Sequence, residues 1–159
     1  MKTVILYATK YGSVEHAVEI LESKLVGKVQ HLNIMKEDVP TLIDYDQVII
    51  GGSIYVGKIQ RKLSKFVTKN LPLLLTKRIG LFICAGEKLQ EVREKELVDA
   101  FPNDLFNHAI CKDIFGYEIH YEKLNFLEKK MVGAVLGLKE GCSELSEEKI
   151  TDFAKIMSS

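Results

Sequence analysis

The stretch Val4-Ile5-Leu6-Tyr7-Ala8-Thr9-Lys10-Tyr11-Gly12-Ser13-Val14-Glu15 decides how this chain is read. An apolar run stops at a short loop of hydroxyl residues and glycine. An amphipathic helical pattern follows at once. Strand, hydroxyl-rich loop and helix N-terminus form a phosphate-binding arrangement. The first backbone N–H groups of a helix have no internal partner, and the helix dipole places partial positive charge there. Gly12 permits a tight turn or close ligand approach, and Thr9 and Ser13 add hydroxyls. An α/β nucleotide-binding fold places its first loop here.

The rest of the chain alternates in the same way. Short β-branched runs at Thr3–Tyr7, Val29–Ile34, Gln47–Ser53, Ile79–Ala85 and His108–Phe115 read as strands. The near-continuous apolar runs of the first, third and fourth predict strands buried on both faces, as in a parallel sheet. Val29–Ile34 alternates and carries His31 and Asn33, so it reads as an edge strand.

Helices fill the gaps. Val14, Ala17, Val18, Leu21 and Leu25 keep helical spacing, with Ser13 as the expected cap. A second helix is marked by Ile59, Leu63, Phe66 and Val67 and expected to end near Asn70-Leu71-Pro72. A third, through Leu89, Val92, Leu97, Val98 and Phe101, is expected to close at Pro102-Asn103-Asp104. The segment Met35–Asp46 reads as a loop. Ile150, Phe153, Ala154 and Met157 line a last helix, with Ser146 as its cap. Strands alternating with helices imply βαβ crossovers and a three-layer α/β sandwich in one domain, residues 1–159. One piece is extra: 117–141, whose helical part carries the apolar stripe Leu124, Leu127, Met131, Val135 and Leu138, widened by Phe126, Val132 and Leu136. Core packing is the favoured reading of that stripe; a substrate wall, partner surface or membrane-skimming helix are the functional ones.

Composition narrows the function. Hydrophobic residues make up 47% and charged residues 28%, the balance of a globular chain. Lys+Arg and Asp+Glu number 22 each, so there is neither a basic field for nucleic acid nor the acidic field that steers small electron carriers. Cys84, Cys111 and Cys142 lack metal spacing; the first two read as buried thiols of a reducing, cytoplasmic compartment, and Cys142 as a turn residue. Met1-Lys2 leads straight into a strand, so no secretory leader is expected, and no apolar run reaches the roughly 18 residues of a membrane span.

Ligands of doubly wound sheets bind beyond the carboxyl ends of the strands. Three loops qualify: Thr9, Lys10, Tyr11, Gly12, Ser13 and Val14; then Ser53, Ile54, Tyr55, Val56 and Gly57; then Ala85, Gly86 and Glu87 with Lys88. One phosphate loop and two loops able to hold a planar ring suggest a mononucleotide with a flat head. Lys10 and Glu87 are expected in solvent and Tyr55 against the ring. No catalytic side chain is identified. His16 falls on the polar side of the first helix and is expected to be solvated. His108 is expected to begin a strand. For His120 a structural role outweighs proton transfer.

These residues resemble the flavodoxin family, and within it the branch similar to bacterial menaquinone-dependent protoporphyrinogen IX dehydrogenases. Flavodoxins hold the FMN phosphate in a Ser/Thr-x-Thr-Gly-Asn-Thr loop. Thr9, Gly12 and Ser13 match it, while Tyr11 and Val14 replace hydroxyl residues. Gly52–Gly57 resembles the second loop of the dehydrogenase branch, and 117–141 its added segment. The resemblance implies a flavodoxin-like five-stranded parallel sheet of order 2-1-3-4-5 with an added helical segment after strand 5, and FMN as cofactor. It implies protoporphyrinogen-type two-electron oxidation with a quinone acceptor. The alternative is an electron-transfer module between protein partners, and the third possibility is a scaffold without flavin. A two-component receiver needs an acidic cluster at the strand ends, where this chain has Thr9, Ser53 and Ala85. Peripheral membrane association is the less favoured localisation.

Overall fold

The computed structural model of the protein describes residues 1–9, 12–136 and 142–159. Five parallel strands form one sheet: β1 (Lys2–Ala8), β2 (Lys28–Asn33), β3 (Gln47–Ser53), β4 (Arg78–Cys84) and β5 (Cys111–Ile114), in the order β2-β1-β3-β4-β5. That is the order the resemblance implied. Every residue of β3 is buried, as a run without alternation requires for a strand covered on both faces. β2 lies at an edge and alternates in burial along most of its length.

Helices α1 (Glu15–Lys24) and α6 (Glu147–Met157) cover one face. Helices α2 (Arg61–Leu74), α3 (Gln90–Asp99) and α4 (Asn103–His108) cover the other. Under α1 and α6, Phe82 stacks on Phe115 with ring centroids 4.6 Å apart, and Phe153 meets Phe115 edge-on at 5.2 Å. The Phe82 ring lies across β3, and only a missing side chain at Gly51 lets it do so: a Cβ there would stand 2.1 Å from the ring.

Several local expectations are corrected. Ser13 does not hold the cap of α1: Val14 does, and its side chain makes no capping hydrogen bond. Helix α2 runs through Pro72 to Leu74, because Leu74 is fully buried and its packing outweighs the hydrogen bond that proline removes. The Pro102-Asn103-Asp104 stop also starts α4, so His108 ends a helix instead of opening a strand. Ser146 does cap α6, its Oγ accepting the Lys149 N–H at 3.3 Å.

The added segment is more than one helix. After β5 the chain forms β6 (Glu118–Ile119), a 3₁₀ turn (Tyr121–Lys123) and α5 (Phe126–Leu136), then returns as β7 (Cys142–Ser143), antiparallel to β6. Cys142 is therefore a strand residue, not part of a turn. Tyr117, Ile119, Leu124 and Val132 bury one another in a small separate core. The expected core stripe is only partly borne out: Leu124 and Val132 turn inward, while Phe126, Leu127 and Met131 are exposed. Leu138 lies outside the described residues, as do the Val135 and Leu136 side chains.

Candidate functional site

The register pairs Ala8 with Gly52 and Ser53 with Cys84, so the three loops after β1, β3 and β4 emerge side by side at the carboxyl edge. At the first, Gly12 has φ +72°, in the left-handed region where glycine carries no penalty. Thr9 Oγ accepts the Val14 N–H at 3.3 Å and folds the loop back on itself. The first turn of α1 thus begins beside a glycine with no side-chain cap, the arrangement that takes an anion at a helix N-terminus. Ser13 is buried, and the Val14 side chain packs into the core beneath α1, so Val14 offers a ligand no polar group. Lys10 and Tyr11 lie outside the described residues.

The second loop is a tight hairpin. Tyr55 donates its N–H to Lys58 O at 2.8 Å and accepts the Lys58 N–H at 3.1 Å. Val56 and Gly57 between them have φ +51° and +72°, the positive pair of a type I′ turn. A β-branched residue is costly in that region, and Val56 is exposed, so no packing offsets the cost. Strain of this kind concentrates at ligand-contacting loops. Val56→Asn is expected to stabilise the fold by about 1 kcal/mol, read as a thermal midpoint about 3 °C higher. Behind the turn Ser53 is buried, its Oγ accepting the Gln60 Nε2–H at 2.7 Å. Ile54 is buried too, and its N–H goes to Cys84 O. Gln60 Oε1 is buried without a partner, a feature the sequence reading missed.

At the third loop, the buried Ala85 donates its N–H to Gly116 O, which ties this loop directly to the start of the added segment. The Tyr117 ring lies against Gly86, 3.3 Å from where a Cβ would stand. Glu87 turns inward on its own loop, accepting the Lys88 and Leu89 N–H groups, though it stays exposed.

A cavity of about 590 Å³ opens at the first loop. Thr9, Gly12 and His16 form one wall, Met35 and Lys36 another, and His120, Lys123 and Leu124 of the added segment the third. This volume lies within the range of small-molecule sites. Gly57 faces a different cavity, of about 520 Å³, with Arg61 and Asp99. The structure therefore joins the first loop to the added segment, and the tip of the second loop stands apart from both.

The residue most underestimated is Glu118. It is 2% exposed, and its carboxylate receives the His16 Nδ1–H at 2.9 Å, the His120 Nε2–H at 2.6 Å and the Ser143 Oγ–H at 3.0 Å. Burial alone would raise this carboxyl. The His16 and Ser143 bonds, the His16 charge and the His120 bond outweigh burial and hold it below the ordinary carboxylate range. His16 is thus not simply solvated: it ties α1 to β6. The alternation Tyr117-Glu118-Ile119-His120 carries the signal, since i, i+2 spacing puts Glu118 and His120 on one strand face.

A carboxyl lowered on folding stabilises the protein above its unfolded pKa, and the contribution disappears as the pH falls through the folded value. Glu118→Gln is expected to cost about 2–3 kcal/mol near neutrality. The gap from the native chain should close in strong acid; thermal unfolding across pH measures it.

Cys84 and Cys111 are poor redox candidates. Burial, then Glu118 and Glu15, push Cys84 up to about 12, and burial, then Asp113, pushes Cys111 up to about 11. Among the described residues no group of three or more His, Cys, Asp or Glu side chains is placed to hold a metal, and no helix is long and apolar enough to cross a membrane.

This sheet order, with a loop of this kind after its first strand, is that of the flavodoxin-like α/β class. The flavodoxin domain profile matches residues 4–146, and the chain belongs to that family. No curated protein sequence matches it significantly. Among solved structures it is similar to a short-chain flavodoxin associated with a non-canonical PDU bacterial microcompartment, with TM-score 0.65 and 18% identity over 99% of this chain and 97% of that one. It is similar to Fusobacterium nucleatum flavodoxin bound to flavin mononucleotide, with TM-score 0.52 and 15% identity over 98% of this chain and 96% of the other. It also matches rubredoxin oxygen:oxidoreductase of Desulfovibrio gigas, with TM-score 0.56 and 13% identity over 99% of this chain. There it spans only 35% of the larger protein.

Proposed function

We propose that residues 1–159 act as one FMN-binding redox domain, with the phosphate on the Thr9–Val14 loop and the flavin ring toward the second and third loops. One observation carries this reading: an uncapped helix N-terminus beside a positive-φ glycine, opening on a cavity of about 590 Å³ at the carboxyl edge of the sheet. The residues fit the group. Gly12 gives backbone access, and Thr9 shapes the loop. FMN when bound would supply one- and two-electron redox chemistry, which the buried Cys84 and Cys111 do not replace. The protein's part is to bind, orient and exclude water, with Tyr55, Val56 and Glu87 placed at the ring side.

Between the two functional readings, the added segment favours an enzyme. Its His120, Lys123 and Leu124 wall the cavity, which a carrier exposing its cofactor to protein partners does not require. The enzyme reading is a protoporphyrinogen-dehydrogenase-type oxidation with a quinone as acceptor; the other is electron transfer between proteins. Purified protein loaded with FMN and desalted is expected to retain a perturbed flavin spectrum, and anaerobic titration to show reduction in a single two-electron stage. Well-separated one-electron stages would favour the carrier, and no retained flavin would reject both.

A further inference from the structure

The Glu118 cluster contributes nothing to the five-stranded sheet, yet it buries a carboxylate beside the phosphate loop. An ionised carboxylate only accepts hydrogen bonds, so each contact fixes a donor: Nδ1–H of His16, Nε2–H of His120 and Oγ–H of Ser143. Each imidazole keeps one other nitrogen, Nε2 on His16 and Nδ1 on His120, the latter 3.7 Å from Glu122. Both rings line the cavity that Thr9 and Gly12 open on. We infer that His16 and His120, held by Glu118 as a positioning residue, form a cationic arm for the phosphomonoester of the flavin nucleotide, in place of the hydroxyl that the loop lacks at Val14. The inference rests on the FMN reading above.

The surrounding charges make that arm pH-dependent. Glu15 and Glu19 face it from α1, Lys36 from the segment after β2, and Glu122, Lys123 and Glu128 from the added segment, with Glu118 behind. Acids outnumber lysines, so a phosphate dianion meets a repulsive surround while the imidazoles are neutral. Protonating them reverses the local field. Histidine is the side chain whose ordinary titration falls between about pH 5 and 8, and a phosphomonoester becomes a dianion near pH 6.

Dissociation constants of FMN and of riboflavin, which lacks the phosphate, measured by flavin fluorescence at fixed ionic strength test this. FMN affinity of the native chain is expected to fall on the order of tenfold from about pH 6.5 to 8.5, with riboflavin unchanged. The His16→Gln/His120→Gln pair should flatten the FMN profile, and Glu118→Gln should weaken FMN more than riboflavin. The same pH profile for FMN and riboflavin would overturn the cationic arm and leave the FMN reading standing, as would a native slope surviving in the double variant. Failure to bind either flavin at any pH would overturn both.

Discussion

Gly116→Ala is expected to be among the most destabilising single methyl additions in this chain. Gly116 has φ +93°, and a Cβ there would stand 2.1 Å from Glu144 O, a backbone atom that cannot turn aside. Around it, Ala85 N–H bonds Gly116 O, Ser146 N–H bonds Phe115 O, and Glu144 N–H bonds Tyr117 O, the last two at 2.8 Å. These bonds seat the β6–β7 ribbon on the sheet and lead into α6. The left-handed backbone and the overlap together should cost about 2–4 kcal/mol, a fall of about 5–15 °C in thermal midpoint. Because the ribbon carries Glu118 and Ser143, the variant should also release His16. In an ¹⁵N-resolved spectrum, amides of β6, β7 and the first turn of α1 should move, while those of the central strands stay in place.

Gly12→Val is expected to separate binding from folding. Among the described residues a Cβ would meet only Glu15 Oε2, at an ordinary 3.6 Å. The obstacle is φ +72°, where a β-branched residue pays about 1–2 kcal/mol or forces the loop into another shape. The fold should therefore survive with a modest loss of stability. The N–H groups at the head of α1 would no longer converge, and FMN affinity should fall by roughly thirtyfold or more, about 2 kcal/mol. Fluorescence titration of the folded variant measures this directly. A native-like affinity would mean that the loop does not hold the phosphate.

The sheet was legible because its central strands are unambiguous. Residues 4–7 and 48–52 run without a polar alternation, and only a doubly covered strand makes use of such a run. The first loop was legible because Thr9 and Gly12 stand where a strand pattern gives way to a helical one. What escaped was tertiary. Pro72 signals a helix end in isolation, and only the burial of Leu74 keeps α2 going. The two-residue strands β6 and β7 are too short to show a period, and their register joins residues more than twenty positions apart. Glu118 escaped for the same reason: an acidic residue between Tyr117 and Ile119 shows no partner until His16, His120 and Ser143 are brought to it by the fold. The exposed Phe126, Leu127 and Met131 reversed the expected packing of their stripe, because Val132 and Leu124 already fill the small core beneath.

The central claim is that FMN binds with its phosphate at the head of α1, and amide chemical shifts during an FMN titration test it most directly. The account predicts saturable shifts at Gly12, Glu15, His16 and Ala17, with further shifts at Tyr55 and Gly86, and little change around Arg61 and Asp99. Shifts confined to Gly57, Lys58, Arg61 and Asp99 would place the ligand in the other cavity and contradict it, and a spectrum that FMN leaves unchanged would contradict it outright.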